Sequence, residues 1–216
     1  MRGHGTLSLR MNPLRLAVLG DSIASGTGAS QVADTLGPRL IAALEGAGVR
    51  AEHRVFAVPG AASTDLAAQV GRARAWRPQL VVVVIGANDL TRLVPPEQAA
   101  AALGAAVRTL RAGGAQVVLA PAPDLSIVPH VPPLLRDIVS AGSALMRAAQ
   151  VRAVRAEGGL VADADGATSA AFAADPGLFS ADRFHPSSAG YGVIARALAP
   201  VVEDAARRIF PQRDAG

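Results

Sequence analysis

The stretch Leu80-Val81-Val82-Val83-Val84-Ile85 is aliphatic at every position. A strand with one wet face alternates apolar with polar side chains, so an unbroken apolar run needs cover on both faces, as in a parallel sheet flanked by helices. It is far short of the roughly 20 residues that a membrane-spanning helix requires. Working outward, Leu14 to Leu19, Arg50 to Val58, Gln116 to Ala120 and a short run from Leu160 to Ala162 read as further strands. Between and after them, helical patterns cover Thr35 to Ala47, Ser63 to Ala75, Pro96 to Ala112, Leu134 to Glu157 and Ser188 to Phe210. Gly113-Gly114 stops the helix that begins at Pro96, and Pro200 is expected to kink the last one. Strands and helices alternate, and right-handed crossovers turn that alternation into a three-layer α/β/α sandwich with a mostly parallel, flavodoxin-like sheet.

Half of the 216 residues are hydrophobic, enough to bury one sizeable core, and no linker or repeat divides the chain. The expectation is a single domain over residues 1–216, with about residues 1–12 as a flexible tail and Met11 as an alternative start. The chain has no Lys, so all 21 basic residues are Arg, and the net charge is only +4. Arg72, Arg74 and Arg77, and Arg207 and Arg208, read as solvated helix faces, and no nucleic-acid partner is expected. The chain has no Cys, which removes disulfides and thiolate metal sites from consideration. The first ten residues lack the apolar stretch of a secretory signal, and no transmembrane segment is found, so the expected compartment is cytoplasmic.

In an open parallel sheet, ligands bind outside the carboxyl ends of the strands. Ser22 follows the first strand, Gly60 the second and Asn88 the third, while His185 lies in the loop before the last helix. A serine hydroxyl is protonated at neutral pH and attacks only with a base in reach. His185 is the candidate base. Asp182, in Asp182-Arg183-Phe184-His185-Pro186, can meet the imidazole Nδ1 within one tight turn, fixing its tautomer and stabilising the imidazolium. Acyl transfer also needs donors aimed at the oxygen that becomes negative. The Ser22 N–H, the Gly60 N–H in Val58-Pro59-Gly60-Ala61-Ala62 and the Asn88 side-chain amide are the candidates. Singly, these residues have plainer readings: Ser22 as a cap, Gly60 as the turn after Pro59, Asn88 as an Asx-turn, and Asp182 with His185 as a solvated pair. Their coincidence on one edge favours a site.

The same blocks resemble the SGNH, or GDSL-type, hydrolases, a family of esterases, lipases and acylhydrolases. Gly20-Asp21-Ser22-Ile23 is similar to its first block, with Ile for the usual Leu. Pro59-Gly60-Ala61, Gly86-Ala87-Asn88-Asp89 and Asp182-Arg183-Phe184-His185-Pro186 resemble its Gly, Asn and His blocks, in order along the chain. The resemblance implies a serine esterase with Ser22 as nucleophile, His185 as base, Asp182 as its orienter, and an oxyanion hole from Ser22, Gly60 and Asn88. It implies no cofactor and no metal. Seven aromatic residues leave little for a sugar-stacking platform, so the expected partner is a small-molecule or lipid-like acyl ester rather than a polysaccharide.

Other chemistries fit less well. A Walker loop requires a Lys. Gly26-Thr27-Gly28-Ala29-Ser30-Gln31 lacks the third Gly of a dinucleotide fingerprint, and Ala24 stands where the Gly-x-Ser-x-Gly elbow has its second Gly. Asp163 and Asp165 read as solvated turn residues rather than metal ligands. His4, His53 and His130 read as surface or core-edge residues, and His130, in the stiff loop Val128 to Pro133, is a candidate wall of a substrate pocket. An acyltransferase using the same triad, and a non-catalytic carbohydrate- or lipid-binding module on the same fold, stand as the alternatives.

Overall fold

The computed structural model describes residues 12–163 and 166–209. The expected tail and the alternative start at Met11 lie, apart from Asn12, outside the described residues, as do His4, Asp165 and Phe210. Five parallel strands, β1 Leu14–Gly20, β2 Ala51–Val55, β3 Leu80–Val84, β4 Gln116–Ala120 and β5 Leu160–Val161, form one sheet in the order β2-β1-β3-β4-β5. Chain progression reverses between β1 and β3, the place in such sheets where connections leave in opposite directions and a crevice opens. The helices are α1 Ser22–Ser25, α2 Leu36–Gly46, α3 Leu66–Ala75, α4 Ala87–Thr91, α5 Pro96–Ala112, α6 Arg136–Ala156, α7 Ala167–Ala174 and α8 Ser188–Ile209.

The alternation of side chains along each strand divides the core in two. Leu14, Leu16 and Val18 of β1, with Leu80 and Val82 of β3, pack against Leu36, Leu40 and Leu44 of α2 and Tyr191 and Leu198 of α8. Ala17 and Leu19, with Val81 and Val83, pack on the other face against α3 and α5 through Leu66, Val70, Leu103, Val107 and Leu110. Leu80 to Val82 are fully buried, which is what their unbroken apolar run demanded. Each such Val or Leu contributes about 1.5–3 kcal/mol through its removal from water.

Several boundaries differ from the sequence expectation. β2, the edge strand, ends at Val55, with Glu52, Arg54 and Val55 exposed, although the N–H groups of Phe56 and Val58 still donate to Val18 O and Gly20 O of β1. The helix expected from Leu134 opens as a 3₁₀ turn over Pro133–Leu135 and becomes α-helical at Arg136. The helix α8 runs unbroken through Pro200. The short helices α1, α4 and α7 were not expected. No described helix is long and apolar enough to cross a membrane.

Candidate active site

The carboxyl end of β1 leads directly into the first functional turn. Gly20 has φ +135°, and a Cβ at this position would fall 1.8 Å from the Val84 carbonyl oxygen, so only glycine lets β1 and β3 end this close together. The buried Gln69 of α3 grips the same residue twice: its Oε1 accepts from the Gly20 N–H at 2.7 Å and its Nε2 donates to the Gly20 carbonyl at 2.8 Å. Asp21 donates its N–H to Val84 O and caps α1 by accepting from the Ile23 N–H at 3.0 Å. Ser22 is therefore the first residue of a short helix rather than part of an open turn. From α8, the buried Tyr191 hydroxyl donates between two carbonyls of this turn, Thr27 O at 2.8 Å and Ile23 O at 3.1 Å.

The second turn is built on Asp182. Its Oδ1 accepts from the Ser180 hydroxyl at 2.7 Å and from the N–H groups of Phe184 and His185, both at 2.9 Å. Its Oδ2 lies 2.6 Å from His185 Nδ1, and His185 Nε2 lies 3.0 Å from Ser22 Oγ. A carboxylate bonded to Nδ1 leaves Nε2 as the lone-pair nitrogen facing the serine hydroxyl. Residues 163 positions apart thus form one hydrogen-bonded chain.

Gly60 and Asn88 come from the ends of β2 and β3. Gly60 has φ +81°, left-handed backbone that glycine adopts without strain, and its carbonyl accepts from Arg92 at 2.7 Å. Asn88 donates one side-chain N–H to Ala61 O at 3.1 Å, which leaves the second amide proton of its NH₂ group. Among the described residues, no acceptor takes the backbone N–H of Ser22 or Gly60. Asp89, fully buried, accepts from the Ser63 N–H and from the Ser63 hydroxyl at 2.9 Å, so the loop after β2 is tied to the segment that carries Asn88. Gln150 of α6 makes the corresponding tie between β3 and β4, donating to Ile85 O and accepting from the Ala122 N–H. Sequence reading did not single out Gln69, Gln150 and Tyr191, and it quoted Asp89 only as part of the Asn block, yet these four side chains tie the turns of this edge together.

Electrostatics separates the two carboxyls of the site. Burial pushes the Asp21 carboxyl up to about 6, against the hydrogen bonds from Ile23 and Ala24 N–H that oppose the rise. Burial also works against the charge of Asp182, yet the bonds from the His185 side chain and backbone, Phe184 N–H and the Ser180 hydroxyl outweigh it and hold that carboxyl well below its usual range. Burial, reinforced by the charges of Asp21 and Asp182, pushes the Tyr191 hydroxyl up, so it stays a donor. His53 lies within β2, and burial lowers its pKa.

His130 is exposed and does not wall the neighbouring cavity; Val128 of the same loop and Ile127 just before it do. Among the described residues, no group of three or more His, Cys, Asp or Glu side chains is placed to hold a metal ion.

The solved structure of TesA superposes with a TM-score of 0.72 at 22% identity, over 88% of this chain and 99% of that one. A catalytic mutant of Axe2, an acetylxylan esterase from Geobacillus stearothermophilus, superposes with a TM-score of 0.68 at 21% identity, over 88% and 94%. At these identities the likeness is one of fold. A GDSL-like esterase of Mycobacterium tuberculosis is 34% identical over 196 residues, 89% of this chain, and the match spans 62% of that relative's length. The model of the GDSL-like lipase/acylhydrolase family matches residues 18–193, which hold every residue of the Ser22–His185–Asp182 chain together with Gly60 and Asn88, and the protein belongs to that family of esterase-type hydrolases.

Proposed function

We propose that the protein is a serine esterase that cleaves carboxylic esters through an acyl-enzyme on Ser22. The observation that carries this reading is the hydrogen-bonded chain from Ser22 Oγ through the His185 imidazole to Asp182, at 3.0 and 2.6 Å. His185 Nε2 takes the Ser22 proton as Oγ bonds to the ester carbonyl carbon, and the carbonyl oxygen becomes an oxyanion. The Ser22 and Gly60 N–H groups and the second Asn88 amide proton face that charge. As the tetrahedral intermediate collapses, the ester C–O bond breaks and the imidazolium gives its proton to the departing alkoxide. Water, deprotonated by the same Nε2, then releases the carboxylic acid and restores Ser22. Asp182 holds the tautomer and balances the imidazolium charge in both halves.

The test is stoichiometric labelling with an organophosphonate. One equivalent is expected at Ser22, with loss of nitrophenyl-ester hydrolysis, and Ser22→Ala should lose several orders of magnitude in kcat. Full inactivation by a label on another serine overturns the assignment. A protein that takes no label and hydrolyses no ester is a binding module on this fold.

A further inference from the structure

We infer that the solvent face of α6 is a homodimer interface, along which a second copy of this chain packs antiparallel about a two-fold axis beside residue 143; the inference stands independently of the esterase reading. One face of α6 is buried in the protein's own core, through Ser143, Met146, Gln150 and Val154. A helix packed in this way ordinarily turns charged side chains to water on its other face. Here Ile138, Ala141, Leu145 and Ala148 lie there instead, and all four are exposed. Ile138 is 70% and Leu145 65% exposed, and Leu134, in the 3₁₀ turn just before the helix, is 96% exposed. Between Asp137 and Arg152 the one charged residue is Arg147, and it is turned to Asp163 O, to which it donates at 2.9 Å. Spacings of three, four and three residues keep Ile138, Ala141, Leu145 and Ala148 on a single stripe, the seam of a coiled coil.

The pattern of sizes and charges along the stripe selects a second copy as the occupant. A two-fold interface must be complementary to itself. In an antiparallel pair with the axis beside residue 143, Ile138 of one copy meets Ala148 of the other and Ala141 meets Leu145, so each large side chain falls opposite a small one. A parallel pair would set Leu145 against Leu145 and leave a gap between two Ala141 side chains. The charges agree with the antiparallel choice. Asp137 flanks the start of the stripe, and Arg152 and Arg155 stand at its end, all three exposed. Antiparallel packing brings these opposite charges within about one helical turn of each other and sets the two helix dipoles antiparallel. Arg136, by helical rotation, points away from the stripe. An anionic lipid surface would be attracted to the Arg end alone and repelled by Asp137 at the other. Because α6 carries the chain from β4 back to the parallel β5, it runs against the strands. The two-fold therefore turns the two catalytic edges in opposite directions and leaves both open.

The experiment is sedimentation equilibrium on the full chain from about 1 to 200 µM, which covers dissociation constants from micromolar to about 0.1 mM. Twice the monomer mass is expected at the upper end. Leu145→Glu removes two buried Leu side chains per dimer and should raise the dissociation constant at least about 10²-fold, with the circular-dichroism spectrum unchanged. Ile138→Glu should act in the same direction, and serves if the first variant does not fold. Since the chain has no Cys, a single introduced Cys can be cross-linked only to its own copy. Ala144→Cys lies beside the axis and should join into a covalent dimer with a short bis-maleimide. Ala148→Cys should not, because its two copies stand about 15 Å apart along the helices. A chain that stays monomeric throughout the range overturns the inference, as does a dimer that keeps its affinity in both folded variants. Cross-linking of Ala148→Cys as efficient as that of Ala144→Cys overturns the antiparallel register. Binding of the monomer to phosphatidylglycerol vesicles, lost in Leu145→Glu and with no dimer formed, overturns it as well and gives the stripe to a lipid surface.

Discussion

The turn at 180–186 and the turn at 20–27 meet at one hydrogen bond, and they are held in opposite ways. The first is self-contained. Asp182 collects Ser180, Phe184 and both the N–H and the imidazole of His185, all within three residues of itself. The second is held from outside, by Gln69 gripping Gly20 and by Tyr191 donating to Ile23 and Thr27. Their carboxyls differ accordingly. Asp182, with its side chain 48% exposed, is kept charged by its donors, whereas Asp21, 1% exposed, is pushed towards the neutral form by burial. At Asp21 burial prevails over two backbone hydrogen bonds, whereas at Asp182 four hydrogen bonds prevail over burial.

The largest expected effect breaks the self-contained turn. Asp182→Asn replaces the acceptor at Nδ1 with a group that can donate, so the imidazole loses the tautomer that leaves Nε2 free to take the Ser22 proton. A loss of about 10³- to 10⁴-fold in kcat on a nitrophenyl ester is expected. The melting temperature should move little, because the side chain is half exposed and the amide oxygen still accepts from the neighbouring N–H groups. A loss under tenfold would mean that some other group orients His185.

Next comes the pH response of stability, where the two turns have opposite signs. The Asp182 pKa is depressed in the fold, so its contribution is present above the usual carboxylate range and fades as pH falls through the depressed value. Asp21 rises from 3.8 to about 6, so the folded state holds its proton more tightly and stability is lost as pH rises between those values. Asp21→Asn keeps an acceptor for Ile23 and removes the titration. Measured by urea unfolding, the stability of the variant relative to the parent should improve by about 2 kcal/mol between pH 4 and pH 8. Any fixed cost of burying the amide cancels in that difference. A relative stability independent of pH would show that Asp21 titrates like a solvated carboxyl.

The same contrast explains what could be read from sequence. The self-contained turn is legible because its partners lie within three residues, so Asp182-Arg183-Phe184-His185 states its own geometry. The sheet is legible because burial on both faces leaves a signature in every residue of Leu80 to Ile85, and α5 and β4 begin and end where Pro96, Gly113 and the apolar run predict. The outside supports are not legible. Gln69 meets Gly20 across 49 residues, and Tyr191 meets Ile23 across 168. A Gln on a helix face and a Tyr in an amphipathic pattern look the same whether or not they clamp a backbone group. The helices α1 and α4 are too short to show a period, and the Ala-rich α7 lacks contrast between its faces. Val128 to Pro133 was readable as a stiff apolar loop, but which side chain turned inward was not, and it is Val128 rather than His130.

The smallest expected effect tests the outside support itself. Tyr191→Phe keeps the ring in the core and removes one hydroxyl. Ile23 O retains its bond from Gly26 N–H at 3.2 Å, so the change orphans chiefly Thr27 O. One buried carbonyl left without that donor costs about 1–2 kcal/mol, a fall in melting temperature of roughly 2–8 °C for a chain of this size. Because the hydroxyl locates the turn that bears Ser22 and touches no reacting atom, kcat should fall by about tenfold or less with KM nearly constant. Independence of the two turns adds a sharper requirement. The stability changes of Tyr191→Phe and Ser180→Ala, one support from each turn, should sum to that of the double variant within about 0.5 kcal/mol. A coupling well beyond that would mean that the two turns settle together as one unit, and that the Asp182 turn depends on α8 for its shape as the Ser22 turn does.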